Sequence, residues 1–325
     1  MFWGLQFNSL QLTATIFLIC AFVLYLHPIV AAIKIGGRAA REMTTAFGGH
    51  DSTIKHRPFS IWKMLSFSNG EEQPYKKITY DTTHSLTLDF YSASANTPRP
   101  CVVVIHGGSW RNGDSRQLPE LNSILVKAGY HVASINYRKV PTCESPAPVE
   151  DLETALTYLR AHAAALQLDS RFVLLGRSAG GQIALMGGYT MQALGVKGVI
   201  DYYGPADMIW GYQNPANPWV YNSCRVLEDY MGGSYSQQQQ RYFMGSPIEF
   251  VNENSVPTLM IAGKNDVLVA YGHSTRLSEK LKKYNIPHYL LSLPWATHGF
   301  DYNINGPGGQ LATYAVLHFL FAVIK

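Results

Sequence analysis

The 325-residue sequence predicts an α/β domain: a mostly parallel central sheet flanked by helices, with a lid-like insertion and an N-terminal hydrophobic helix. Three observations carry this. Short apolar runs at Leu86–Tyr91, Cys101–Ile105, His131–Tyr137, Phe172–Leu175, Lys197–Tyr203, Val256–Gly263 and His288–Leu293 have strand length, and helical patterns alternate with them. In the stretch from Val149 to Ala163, Leu152, Ala155, Leu156 and Leu159 recur at the three-and-four spacing of one buried helix face. The chain is 47% hydrophobic and 15% charged, enough for one large domain with a sizeable core.

The N-terminus is different material. From Met1 to Ile33 there is no Asp, Glu, Lys or Arg, and Leu12 to Leu26 is almost purely apolar. Residues 1–33 are therefore long enough to cross a bilayer core of about 30 Å. Lys34, Arg38 and Arg41 follow at once, and the positive-inside bias then places the domain in the cytoplasm. A cleaved signal peptide is the rival, with secretion or periplasmic export as its consequence. Pro28 and Val30-Ala31-Ala32 suit a cleavage site, but the basic leader is missing. Residues 34–74 read as a lead-in, and 75–325 as the globular domain.

Within that domain, Cys101–Ile105 runs directly into His106-Gly107-Gly108-Ser109-Trp110. Two glycines at a strand end let backbone N–H groups approach a ligand closely. The plain alternative is a Gly-Gly turn. Downstream, Phe172–Leu175 leads into Gly176-Arg177-Ser178-Ala179-Gly180-Gly181 and then a helical run. A serine flanked by small residues at a strand-to-helix turn can be held in a strained conformation with its hydroxyl exposed. This makes Ser178 the candidate nucleophile, with the N–H groups of Gly107, Gly108 and Ala179 as candidate donors to a negative oxygen.

A serine needs a base, and the base needs an orienting acid. Asp266 follows the run Val256–Gly263, a helical segment spans roughly 271–283, and His298 follows the run His288–Leu293. Acid and histidine thus sit after the last two strands, in the order Ser…Asp…His expected at the C-terminal edge of a parallel sheet. Asp301 and Asp207 are reserve acids. His50, His56, His84 and His273 lack that context, and His106 reads as a ring that holds the glycine loop.

These motifs make the chain resemble the α/β-hydrolase superfamily, in the esterase/lipase branch with an HGG oxyanion loop (the carboxylesterase, BD-FAE and hormone-sensitive-lipase-like group). The matching pieces are HGGSW at 106–110, NYRKVP at 136–141, PAPVEDLETAL at 146–156, GRSAGG at 176–181, GKNDVLV at 263–269 and THGF at 297–300. The resemblance covers roughly residues 75–325. It implies Ser178 as nucleophile, Asp266 as acid, His298 as base, backbone donors at Gly107, Gly108 and Ala179, and an Arg138–Asp151 ion pair. Two positions depart from the pattern: Ser109-Trp110 replaces a third glycine, and Arg177 stands where relatives usually carry Asp, Glu, His or Gln.

The expected activity is hydrolysis of small or lipophilic carboxylic esters through an acyl-enzyme. Trp110, Arg177 and Tyr203 are candidate substrate-binding residues, Arg177 alternatively pointing into solvent or pairing with a carboxylate. The insertion at 206–250 is rich in Trp and Tyr and reads as a lid or pocket wall, with Asp207 as an anchor for it. Rivals are amide cleavage (an arylformamidase or peptidase), a prenylcysteine methylesterase, and a catalytically silent binding protein. No cofactor is expected: metal-ligand spacings and a phosphate-cradling glycine loop are absent. The net charge of +4 and the lack of a basic stripe argue against nucleic acid. A Cys143–Cys224 bridge is conceivable if the domain is exported.

Overall fold

The apolar runs assemble into one eight-stranded sheet in the order β1-β2-β4-β3-β5-β6-β7-β8. The strands are β1 (Lys76–Asp81), β2 (Leu86–Tyr91), β3 (Arg99–Ile105), β4 (His131–Ile135), β5 (Leu168–Arg177), β6 (Val196–Tyr202), β7 (Thr258–Gly263) and β8 (His288–Leu293). The β1–β2 and β2–β4 pairs are antiparallel and every other pair is parallel. This computed structural model describes residues 9–48, 57–66, 72–94 and 97–324. His50 and His56, and the first eight residues of the N-terminal segment, lie outside them.

Burial on both faces explains the unbroken apolar runs. In β5, Phe172 and Leu174 join the core on one face while Val173 and Leu175 join the other. In β3, Val103 and Ile105 oppose Val102 and Val104 in the same way. Helices α4 (Ala147–Ala161), α5 (Ala179–Thr190) and α9 (Gly272–Lys283) cover the first face through Leu152, Leu156, Ile183 and Leu277. The second is covered by α3 (Pro119–Lys127), by α10 (Pro307–Val323) and by the end of α1 (Ser9–Phe47), through Leu125, Leu311, Phe319 and Met43. Each fully buried Leu or Phe contributes about 1.5–3 kcal/mol.

The N-terminal helix crosses the boundary expected at residue 33. Residues 34–47 continue α1 instead of forming a lead-in. The reason is a second apolar stripe: Ala32, Ile35, Gly36, Ala39 and Met43 fall at three-and-four spacing and are buried. Phe47 packs edge-on against Phe319 at 4.8 Å, and Tyr289 donates a hydrogen bond to Glu42 at 2.7 Å. Upstream of Ala32 the side chains are almost all exposed, and this part of α1 is long and apolar enough to cross a membrane.

Between β6 and β7 the chain forms α6 (Met208–Gln213), α7 (Ser223–Met231) and α8 (Gln239–Met244). Asp207 caps α6 by accepting the Trp210 N–H at 2.8 Å and pairs with Arg276 at 2.9 Å, tying the insertion to α9. Much of the aromatic content packs inward: Tyr230 and Tyr242 are fully buried, and Tyr212 and Tyr235 each meet Tyr242 edge-on. Cys143 and Cys224 are both free thiols, so the conceivable bridge is not formed.

Candidate active site

Five parallel strands deliver the site. At the end of β5, Ser178 adopts φ 53° and ψ −120°, the strained turn expected between a strand and a helix. A side chain on Gly180 would strike the carbonyls of Ile105 and His106, so only glycine lets α5 start this close to β3. Asp266 follows β7 and His298 follows β8, and the three meet. His298 Nε2 lies 3.0 Å from Ser178 Oγ, and His298 Nδ1 lies 2.7 Å from Asp266 Oδ2. A carboxylate only accepts, so Nδ1 carries the hydrogen and Nε2 offers its lone pair to the serine hydroxyl. Asp266 is held in turn: its Oδ1 accepts the N–H groups of Leu268 (2.9 Å) and Val269 (3.0 Å). Such a chain can draw the proton from Ser178 as its oxygen attacks.

The glycine loop corrects one expectation. Gly107 donates its N–H to Gln117 Oε1 at 2.7 Å, so that amide is already taken. The amides of Gly108, Ser109 and Ala179 have no acceptor among the described residues. Gly108 sits at φ 118°, where a side chain would collide with the Asn112 carbonyl. The His106 ring donates to the Gly107 carbonyl at 2.7 Å and stacks on Tyr137 at 4.3 Å, and its burial lowers its pKa to about 4. It is a neutral brace for the loop.

Beside Ser178 opens a cleft of about 250 Å³, lined by Ser109, Trp110, Ala179 and by Met208, Leu227 and Val267 on the side of the insertion and the acid loop. Tyr221, whose hydroxyl bonds to Ser109 Oγ at 2.6 Å, also lines it. Trp110 shows the cleft one edge while its ring stacks on Tyr230 at 4.1 Å and its N–H donates to Gln182 at 3.1 Å. His273 forms part of the wall; its Nδ1 accepts the Asp207 N–H at 3.3 Å, and burial lowers its pKa to about 4.

Two expected substrate contacts lie elsewhere. Arg177 is buried, away from the cleft, with Nε 2.6 Å from Asp301 Oδ2. Tyr203 is buried as well; its hydroxyl donates to Asp301 Oδ1, and its ring backs His298 at 4.4 Å. Residues β-strand ends bring near a site are thus divided between cleft and support. Arg138 pairs with Asp151 at 2.7 Å and also donates its own N–H to that carboxylate at 2.7 Å. Gln117 and Gln182 carry no signal in the sequence, where an isolated polar residue on a loop or helix has none, whereas Tyr221 belongs to the aromatic set of the insertion.

Fold and site together define an α/β-hydrolase whose polar constellation sits at the C-terminal edge of the sheet. The chain belongs to the BD-FAE family, whose profile matches residues 88–281, within the esterase/lipase branch of that superfamily. It is similar to Esterase LipQ of Mycobacterium tuberculosis, at 27% identity over 62% of this chain and 50% of the relative. It is also similar to Esterase LipC of the same organism, at 28% identity over 75% of this chain and 64% of the relative. The chain therefore spans between half and two-thirds of the length of these curated relatives. Among solved structures, a hyperthermophilic esterase from the archaeon Pyrobaculum calidifontis superposes with a TM-score of 0.66 over 78% of this chain and 88% of its own, at 22% identity. That likeness is one of fold.

Proposed function

We propose that this protein is a serine carboxylic-ester hydrolase. The observation that carries the reading is the Ser178–His298–Asp266 hydrogen-bond chain opening on a largely apolar cleft. His298 takes the proton from Ser178 as the hydroxyl attacks the ester carbonyl. The amides of Ala179 and Gly108, with Ser109 on the same turn, receive the developing negative oxygen. His298 then protonates the leaving alcohol, and water activated by the same ring releases the acid from Ser178.

The cleft sits at the small end of ligand-binding cavities, which suits a short acyl or alkyl group against Met208, Leu227 and Val267. The exposed half of α1 acts as a membrane anchor, with Lys34 and Arg38 at its domain end and the domain on the cytoplasmic side.

Ser178→Ala is expected to lower turnover of a short-chain nitrophenyl ester by roughly four to six orders of magnitude while the protein stays folded. Undiminished turnover, or failure of the parent protein to react with a fluorophosphonate, refutes the reading.

A further inference from the structure

The direction of α1 fixes where a bilayer lies relative to the cleft. Gly36 lies against Leu311 in the first turns of α10, and Phe47 packs on Phe319 near its end. The two helices therefore run parallel. Glu42 meets Tyr289 near the start of β8, which gives the same direction. Since α10 begins shortly after His298, at the C-terminal edge of the sheet, α1 descends from that edge as the chain runs from Gly36 to Phe47. Followed backwards, the exposed apolar half of α1 rises beyond the edge that carries Ser178, Asp266 and His298. Pro28 lies inside this one continuous helix, and the kink a proline allows would tilt the half above it without reversing it.

At 1.5 Å per residue, Ser9 to Ile33 spans about 37 Å, enough for a hydrocarbon core of about 30 Å. Ala32 is fully buried against the domain, and Ile33 and Lys34 are exposed next to it. No slack chain separates the spanning segment from the catalytic face.

A second observation points the same way. The short helix α2 (Ile61–Met64) hangs from the start of α10: Gln310 accepts the Ser60 N–H at 2.9 Å and donates to the Ser60 carbonyl at 3.1 Å. It leaves Trp62 84% exposed, with Ile61 and Leu65 also exposed, beside the point where α1 leaves the domain. Across the same edge, Trp219 is 94% exposed and Val220 60%, between the cleft residues Asn217 and Tyr221. Large apolar and aromatic side chains gathered on one edge suit the interfacial zone of a bilayer.

We infer that the cleft faces the bilayer and that its substrate is an amphiphilic ester resident in the membrane interface. This rests on the hydrolase reading above and on α1 spanning the membrane. Trp62 and Trp219 sit in the headgroup zone, and an ester dissolved in the lipid reaches Ser178 without crossing bulk water. Lys34, at the domain end of the span, marks the same level.

The test uses the full chain in phosphatidylcholine vesicles. Flotation with the vesicles after a carbonate wash is expected; a soluble protein after that wash overturns the inference. With acyl-chain-brominated phosphatidylcholine, tryptophan fluorescence should be quenched, and Trp62→Phe and Trp219→Phe should each remove part of the quenching. Quenching identical in parent and variants overturns the orientation. Turnover gives the third measurement. A Trp62→Ser/Trp219→Ser double variant should hydrolyse a vesicle-dissolved long-chain nitrophenyl ester about tenfold more slowly and a soluble short-chain one at the parent rate. Equal rates on both esters overturn the substrate assignment. Quenching requires no turnover, so a protein that is quenched yet cleaves neither ester fails as a hydrolase while its orientation stands. One that cleaves the soluble ester but is not quenched fails only here.

Discussion

Arg177 and Asp301, 124 residues apart, form a buried ion pair at 2.6 Å that ties the residue before the candidate nucleophile to the loop carrying His298. Tyr203 completes the knot, donating to the other oxygen of Asp301 while its ring backs the imidazole. Removing one charge strands the other in the interior, so Arg177→Met or Asp301→Leu should each destabilise the fold by about 3–5 kcal/mol. The double variant should lose less than either alone, because no unpaired charge remains. Chemical denaturation of the three proteins checks this. In the single variants kcat should fall more than KM changes, since His298 loses its support while the cleft is intact.

Two kinds of buried group set opposing pH dependences. Burial raises the Asp201 carboxyl to about 7, against the hydrogen bond from the Gly204 N–H. A raised folded value means that its favourable contribution is complete below the unfolded value near 3.8 and is lost as pH rises toward 7. Asp201→Asn stays neutral, so its stability relative to the parent should climb between about pH 4 and 7 and level off above. His273 works the other way: burial holds it near 4, whereas the unfolded chain takes up a proton near 6.5. Its contribution is present above about 6.5 and drains away down to about 4, and His273→Gln should flatten that acid-side loss. Denaturation midpoints at several pH values test both, and parallel curves for parent and variants would contradict them.

How far these features can be read from sequence follows from what makes each one. Strand β5 and its serine turn were legible, because a strand buried on both faces leaves an unbroken apolar run and the turn leaves its glycines. Strand β1 was missed: only Ile78 and Tyr80 are buried in it, and flanking lysines hide that alternation. Helix α10 was missed for the opposite reason, being buried on nearly every side and so carrying no polar stripe. The continuation of α1 past residue 33 was masked by Lys34, Arg38 and Arg41, which point away from the buried Ala32–Met43 stripe. Asp266 and His298 were expected together from strand order, whereas the capture of the Gly107 amide by Gln117 depends on a tertiary contact with no local signature.

Gln182 holds the floor of the cleft. Its Oε1 accepts from Trp110 Nε1 (3.1 Å) and the Tyr230 hydroxyl (3.2 Å), and its Nε2 donates to the Gly245 carbonyl at 3.0 Å. All three contacts are buried, so Gln182→Leu leaves two donors and an acceptor without partners. Each orphan costs about 1–3 kcal/mol, and unfolding experiments should show a loss of at least that size. Trp110 carries the turn that includes Gly108 and Ser109, so ester turnover should fall in the fraction that remains folded.

Asp266→Asn isolates the role of the acid from that of its loop. In the parent, Oδ1 accepts the Leu268 and Val269 amides and Oδ2 accepts the hydrogen on His298 Nδ1. Asparagine keeps one oxygen for the two amides, which turns its NH₂ group toward Nδ1. The imidazole must then accept at Nδ1 and carry its hydrogen on Nε2, the atom 3.0 Å from Ser178 Oγ. A donor there cannot take the serine proton, so kcat should drop by about 10³–10⁴ with the thermal midpoint almost unchanged. Fluorophosphonate labelling of Ser178 should slow in step, because it draws on the same deprotonation. Labelling at the parent rate in this variant would mean that Asp266 only braces the loop and that His298 takes its tautomer from elsewhere.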